Sequence, residues 1–195
     1  MKAAPADWDI SAGFWFSAAF LILVMPVSWI TAAAAAAGIH ELAHIVVIRA
    51  LGGRVYRITL HPGGAEIAVS GLGYLQEMAA AAAGPLASLL LTFSCRAAPR
   101  LAVCGLLQGL LNLLPLYPLD GGRILLCGLI RAFGNERGDA IFSAVSGFLL
   151  SGLGVLGILS YIYSGFSLVL LVITTGILIK AKNSLQCHGQ GSTIG

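Results

Sequence analysis

Long apolar stretches follow one another along this chain and decide what it can fold into. Only 10% of its 195 residues are charged, whereas a soluble globular domain is about 25% charged. Six stretches approach the roughly 20 apolar residues that a helix needs to cross a bilayer. The sequence therefore predicts an all-α polytopic membrane protein with six transmembrane helices, at about residues 14–30, 32–51, 78–95, 101–133, 140–161 and 166–181.

Two features interrupt this series of predicted spans. The fourth stretch is broken by Pro115 and Pro118 and resumes as a shorter helix from about Gly122 to Phe133. Between the second and third stretches, residues 53–73 hold two β-prone runs around a Pro-Gly-Gly turn, a pattern that predicts a β-hairpin. Because open strand edges cannot face lipid, we expect this hairpin to lie at the cytoplasmic surface or to line a protein cavity.

Basic residues predict the orientation in the membrane, since cytoplasmic loops carry an excess of lysine and arginine. With six spans, and with Arg123 set aside because it does not lie in a predicted loop, Arg96 and Arg100 lie on one side. Eight basic residues lie on the side that holds both termini: Lys2, Arg49, Arg54, Arg57, Arg131, Arg137, Lys180 and Lys182. Both termini are therefore expected in the cytoplasm, and the membrane is expected to be a bacterial cell membrane. The net charge of +3 is too small to predict nucleic-acid binding.

Domain organisation is expected to be simple. One membrane domain covers residues 1–182, and a short polar tail covers residues 183–195. The first ten residues carry Lys2, Asp7 and Asp9 and lack a small-residue cleavage pattern, so no cleavable signal peptide is expected.

The second apolar stretch contains the sequence His-Glu-Leu-Ala-His at residues 40–44. A His-Glu-x-x-His motif on a helix is a signature of metal-dependent hydrolases. His40 and His44 are one turn apart on one helix face, so both imidazoles can reach one ion. Glu41 is then placed to take a proton from the attacking water. Ionisable groups inside a membrane cost several kcal/mol unless they are paired or functional, which makes the motif more informative here.

A third ligand is required, because catalytic zinc usually has three protein ligands and one open position. The sequence offers Asp120, the only other acid inside a predicted span, since the remaining six acids fall in predicted loops or termini. The prolines and the Gly121-Gly122 pair break the helix beside it, and broken helices in membranes line cavities. We therefore predict one zinc ion per chain, bound by His40, His44 and Asp120.

Three segments together resemble the site-2 protease family of intramembrane zinc metalloproteases. They are the motif at residues 40–44, the small-residue stretch at residues 83–88 and the broken segment at residues 112–122. Within the family, the chain looks most like the compact branch that includes the sporulation protease, which processes a precursor sigma factor. The interval between His44 and Asp120 leaves no room for a PDZ domain, and no CBS domain is expected after the last span.

The resemblance implies a function and further roles. Glu41 is the general base and later the general acid, and Asn112 is a catalytic hydrogen-bonding group for the substrate backbone or the oxyanion. The implied activity is hydrolysis of a peptide bond in or near a transmembrane segment of a membrane-tethered protein, such as a precursor transcription factor. The implied partners are that substrate, the lipid bilayer and regulatory membrane proteins. Family members often have asparagine where this chain has Ser88, so the role of Ser88 stays open.

Other interpretations remain. Histidine-carboxylate clusters in membranes also mark ion pathways, so the chain can instead be a metal-ion transporter. A catalytically inactive scaffold is a third candidate. Asn112 can serve an interhelical hydrogen bond, and Gly84 with Ser88 matches a small-xxx-small spacing that mostly means close helix packing. Sequence motifs of serine and aspartyl intramembrane proteases are absent.

Overall fold

A computed structural model describes residues 7–61 and 64–164. Six α-helices, one 3₁₀ helix and three strands follow in the order β1 (Asp7–Ile10), α1 (Ala12–Val24), α2 (Val27–Ala50), β2 (Arg54–His61), β3 (Gly64–Ser70), α3 (Tyr74–Leu90), the 3₁₀ helix (Leu91–Ser94), α4 (Pro99–Asn112), α5 (Asp120–Phe133) and α6 (Asn135–Ser164). They form two compact units, divided after Leu113. The predicted sixth span and the polar tail lie outside the described residues.

Three helices in the described part of the chain are long and apolar enough to cross a membrane. They are Val27–Ala50, Tyr74–Ser94, which includes the 3₁₀ helix, and Asn135–Leu156. These helices correspond to the predicted second, third and fifth spans. Helix α1 is apolar but has only 13 residues, and α4 and α5 have 14 each. A helix of 14 residues extends about 21 Å, less than the roughly 30 Å of a bilayer core.

The first two helices divide earlier than predicted. The predicted boundary near residue 31 was wrong, because α1 ends at Val24 and α2 begins at Val27, immediately after Pro26. Proline lacks an N–H and disfavours helical backbone in the residue before it, so Met25 is extended. The residues on both sides of this break are apolar, so hydropathy alone does not show where the first helix ends.

The predicted hairpin is confirmed as β2 and β3, which pair in antiparallel fashion from Arg54 with Ser70 to His61 with Gly64. The sheet also contains a third strand that was not predicted. Strand β1 pairs in parallel with β2, and the order in the sheet is β1-β2-β3. Four residues that include two aspartates carry little β signal of their own. These residues form a strand because they pair with β2, about 50 positions later in the chain.

A bulge in β2 gives the sheet its apolar inner face. On β3, Ile67 and Val69 are two residues apart and point to the same side. Their partners on β2, Ile58 and Val55, are three residues apart and would point to opposite sides. The irregularity at Tyr56 inserts one extra residue and brings both inward. This face joins a small core shared with α2 and α3, whose buried members are Ile48, Ile67 and Ala80.

Candidate metal centre

The two histidines of the predicted motif lie together on α2. His40 and His44 are 3% and 8% exposed, and their Nε2 atoms are 3.2 Å apart. Two nitrogens that each lie 2.0–2.1 Å from a tetrahedral zinc ion are about 3.3 Å apart. Two unprotonated ring nitrogens at this distance repel each other unless a proton or a cation lies between them. The two imidazoles therefore fit two positions of a tetrahedral metal site.

Each ring is held through its other nitrogen. His44 Nδ1 lies 2.7 Å from the carbonyl oxygen of Ala80, and His40 Nδ1 lies 2.9 Å from Ser88 Oγ. A carbonyl only accepts, so Nδ1 of His44 donates and Nε2 is the unprotonated nitrogen of the neutral ring. Histidines that bind metals are usually held in this way by a partner behind the ring.

One face of α3 supplies both of these partners. Ala80, Gly84 and Ser88 follow at four-residue intervals, and all three are buried. A methyl group at Gly84 would overlap the His44 ring and would lie 2.8 Å from His40 Cε1. Only glycine lets α3 approach the two rings this closely. The small-residue spacing on this helix predicted close packing, but it did not reveal that the neighbours are the motif histidines.

Glu41 follows His40 on α2 and is half-buried. Consecutive residues on a helix point about 100° apart, so Glu41 is on the flank of the histidine face rather than on it. This position suits a group that exchanges protons beside a metal, because it does not replace a ligand.

Asn112 is the last residue of α4 and is half-buried. Its side-chain Nδ2–H donates to the carbonyl oxygen of Gln108 at 3.1 Å, one turn back in the same helix. Such a bond is common for polar residues near a helix end. The role of Asn112 toward a substrate stays a prediction.

Asp120 belongs to the second unit, where it is the first residue of α5 and is half-buried. The preceding turn folds onto the start of this helix around Leu116, which is 1% exposed. The Leu119 N–H donates to the Leu116 carbonyl oxygen at 2.8 Å, and a methyl at Gly122 would lie 2.5 Å from that oxygen. The Ser146 hydroxyl of α6 donates to the Pro115 carbonyl oxygen at 3.3 Å. Asp120 is therefore carried by a closely packed turn.

Asp120 is not the only further acid on an apolar helix, contrary to the prediction. Glu77 lies in the first turn of α3, and Glu136 and Asp139 lie in the first two turns of α6. All three were expected in loops. The helix dipole favours acidic residues at helix N-termini. A helix can therefore begin with polar and acidic residues, before its apolar stretch starts. Asp120 also lies in the first turn of its helix. It differs from the other three acids in that a broken segment precedes it.

A sequence model of the peptidase M50B-like family matches residues 15–114, which is 100 of the 195 residues. The chain belongs to this family, whose members are integral membrane proteins. The matched segment holds the histidine motif, the sheet from β2 onward, α3 and Asn112. It ends before Asp120. The resemblance to intramembrane metalloproteases is thus confirmed at the level of the family.

Individual proteins are also similar to this chain. A protein named as a zinc metalloprotease, Rip3, from two strains of Mycobacterium tuberculosis is 39% identical over 127 residues, covering 55% of this chain and 32% of the relative. The chain thus spans about a third of the length of these curated relatives. The solved structure of the Site-2 Protease from Methanocaldococcus jannaschii superposes with a TM-score of 0.72, covers 94% of this chain and 92% of that one, and is 20% identical. The two proteins share a fold.

Proposed function

We propose that this chain is an intramembrane zinc endopeptidase. Its substrate is a membrane-tethered protein, cleaved in or near a transmembrane segment. The observation that carries the proposal is the pair of buried imidazoles whose Nε2 atoms face each other at 3.2 Å, with Glu41 beside them on the same helix. Membership of the peptidase M50B-like family supports the same chemistry.

We propose that His40, His44 and Asp120 bind one zinc ion per chain. Two imidazole nitrogens and one carboxylate oxygen are a donor set that can hold a metal ion, and they leave one position of a tetrahedral site open. Bound zinc supplies Lewis acidity, which polarises the scissile carbonyl and acidifies the attacking water.

Glu41 performs the proton transfers in this proposal. Its carboxylate accepts a proton from the attacking water and then donates it to the leaving amide nitrogen, so one residue is first base and then acid. Asn112, at the end of α4, is proposed to hydrogen-bond the substrate backbone or the developing oxyanion. The bond to the Gln108 carbonyl oxygen uses one of the two hydrogens on Nδ2, so the amide can bond the substrate without breaking it.

The sheet is proposed to hold the unwound substrate segment. A peptide bond inside a transmembrane helix is shielded by its neighbours, so the helix must open locally before cleavage. Strand β1 covers one side of β2 and leaves β3 at an edge of the described sheet. An extended peptide can add to such an edge through main-chain hydrogen bonds. Strand β1 forms the other edge of the described sheet, and we assign this role to β3, Gly64–Ser70, because it is the hairpin strand that keeps an open edge.

Proline substitutions on β3 test the strand-addition step. Successive backbone N–H groups on β3 point alternately toward β2 and toward the open edge. Proline has no N–H, so one of the two variants, Ala65→Pro or Glu66→Pro, removes a hydrogen-bond donor from the open edge. That variant is expected to lose most proteolysis while zinc content and the helical circular dichroism stay at parental values. Ala65→Thr keeps the donor and serves as control. Unchanged cleavage in both proline variants would remove β3 from substrate binding.

Six membrane spans and cytoplasmic termini complete the proposal, in a bacterial membrane. A cytoplasmic location of β2 and of the α5–α6 connection is supported by exposed arginines. They are Arg54 and Arg57 on β2, and Arg131 and Arg137 around the connection. Regulation by partner membrane proteins belongs to the same proposal.

The function is tested with purified protein in lipid vesicles, together with candidate single-span substrates. Cleavage is expected to stop when a chelator removes zinc and to return when zinc is added. Zinc flux into vesicles that depends on His40 and His44, without cleavage, would indicate a transporter instead. Zinc binding with neither flux nor cleavage of any membrane-tethered substrate would indicate a scaffold.

Asp120→Ala tests the third ligand. We expect zinc affinity to fall by more than about 100-fold. Removing a residue that only hydrogen-bonds a ligand typically costs about 10–100-fold, and loss of the ligand itself should cost more. The measurement is zinc per chain by elemental analysis, followed by competition with a chromophoric chelator. Asp139→Ala, an exposed acid on α6, is the matched control. Parental affinity in Asp120→Ala would exclude Asp120 from the metal site.

A further inference from the structure

The buried polar side chains of the described residues form one group. Only His40, His44 and Ser88 are both polar or charged and buried there, and Ser88 is 0% exposed. A hydroxyl without a partner in such a place costs about 1–3 kcal/mol. Ser88 Oγ has its partner in His40 Nδ1 at 2.9 Å. The hydroxyl of α3 therefore has a specific neighbour, and that neighbour is a proposed zinc ligand.

The two histidines are held by partners of different chemistry. The carbonyl of Ala80 only accepts, which forces the proton of His44 onto Nδ1. The hydroxyl of Ser88 both donates and accepts, so it permits two tautomers of His40. If the hydroxyl donates, the ring proton sits on Nε2 and blocks a metal. If the hydroxyl accepts, the proton sits on Nδ1 and Nε2 offers its lone pair.

We propose that Ser88 is a positioning residue for zinc: its hydroxyl accepts the His40 Nδ1–H and so fixes the orientation and the metal-binding tautomer of that ring. This inference rests on the proposed zinc site. It assigns to α3 a supporting partner for each of the two histidines, with Ala80 behind one ring and Ser88 behind the other.

Close helix packing is the competing explanation, and it makes a different prediction. If Ser88 is present only because it is small, alanine should serve equally well, since it is smaller and adds no polar group. If the hydroxyl holds His40, alanine removes the acceptor and leaves the buried ring without this support. Ser88→Ala therefore separates the two explanations, and cysteine, close to serine in size but a weak acceptor, should behave like alanine.

The experiment measures metal binding by the full chain in detergent, without substrate. Zinc affinity is obtained by competition with a chromophoric chelator, and Co²⁺ is added separately so that its d–d absorption reports the ligand geometry. Ser88→Ala and Ser88→Cys are expected to weaken zinc binding by about 10–100-fold and to change the Co²⁺ spectrum. Ser94→Ala, which removes a hydroxyl bound to the Leu91 carbonyl oxygen, is the control and should match the parent.

Parental zinc affinity and an unchanged Co²⁺ spectrum in Ser88→Ala would overturn the inference, as would an equal loss in Ser94→Ala. Both results leave the proposed protease intact, provided that the parent chain binds zinc. If the parent itself binds no zinc, the proposed function fails first.

Discussion

Replacing Glu41 with glutamine is expected to lower the rate of peptide hydrolysis by about 10²–10⁴-fold, the usual contribution of a general acid–base group. Glutamine keeps the shape of the side chain but cannot accept a proton from water at neutral pH. Because Glu41 is on the flank of the histidine face, zinc content is expected to stay at the parental value. Cleavage of a membrane-tethered substrate in vesicles and zinc per chain are measured on the same preparation.

The matched control for this change is Glu136→Gln, an acid exposed in the first turn of α6. It carries the same loss of charge and is expected to cleave at the parental rate. Full activity in Glu41→Gln would show that the proton acceptor is another group. Loss of zinc together with activity would instead show that Glu41 supports the ligands, and the base would then have to be sought elsewhere.

Replacing Gly84 with alanine is expected to disrupt the proposed metal centre, although Gly84 itself is not a ligand. The added methyl overlaps the His44 ring and reaches within 2.8 Å of His40 Cε1, so α3 or the rings must move. Overpacking of this kind costs typically about 1–3 kcal/mol. It also displaces both imidazoles from their partners on α3. We expect zinc binding to be lost and the midpoint of thermal unfolding to fall.

Gly38→Ala provides the control, because a methyl at that position of α2 meets nothing within 4 Å. Alanine is favoured over glycine in a helix by about 1 kcal/mol, so this variant should be as stable as the parent or slightly more stable. Zinc affinity and thermal unfolding in detergent are compared for both variants. Parental zinc affinity in Gly84→Ala would mean that the two helices are not in close contact at the rings.

Features that depend on neighbours in sequence were predictable. The His-Glu-x-x-His spacing is local, so the convergence of His40 and His44 follows from helix geometry alone. The hairpin follows from two β-prone runs around a turn, and the start of α5 follows from the broken segment before Asp120. Helix starts were placed poorly, because Glu77 and Glu136 belong to helices although they interrupt the apolar pattern.

Features that depend on distant contacts were not predictable. Strand β1 exists only because β2 pairs with it, and the inward turn of Val55 depends on a bulge that aligns it with Val69. The role of Ser88 stayed open because nothing in its own helix indicates which side chain lies opposite it.

The amino-acid sequence by itself determined the membrane class, the family and the motif on α2, since apolar runs and the spacing of ligands within one helical turn are properties of neighbouring residues. Only the tertiary structure decided what stands behind the ligands. The partners of the two imidazoles, the carbonyl of Ala80 and the hydroxyl of Ser88, come from a helix 36 to 48 positions away. Their approach depends on the absence of a side chain at Gly84, a requirement that appears only when the two helices are packed together.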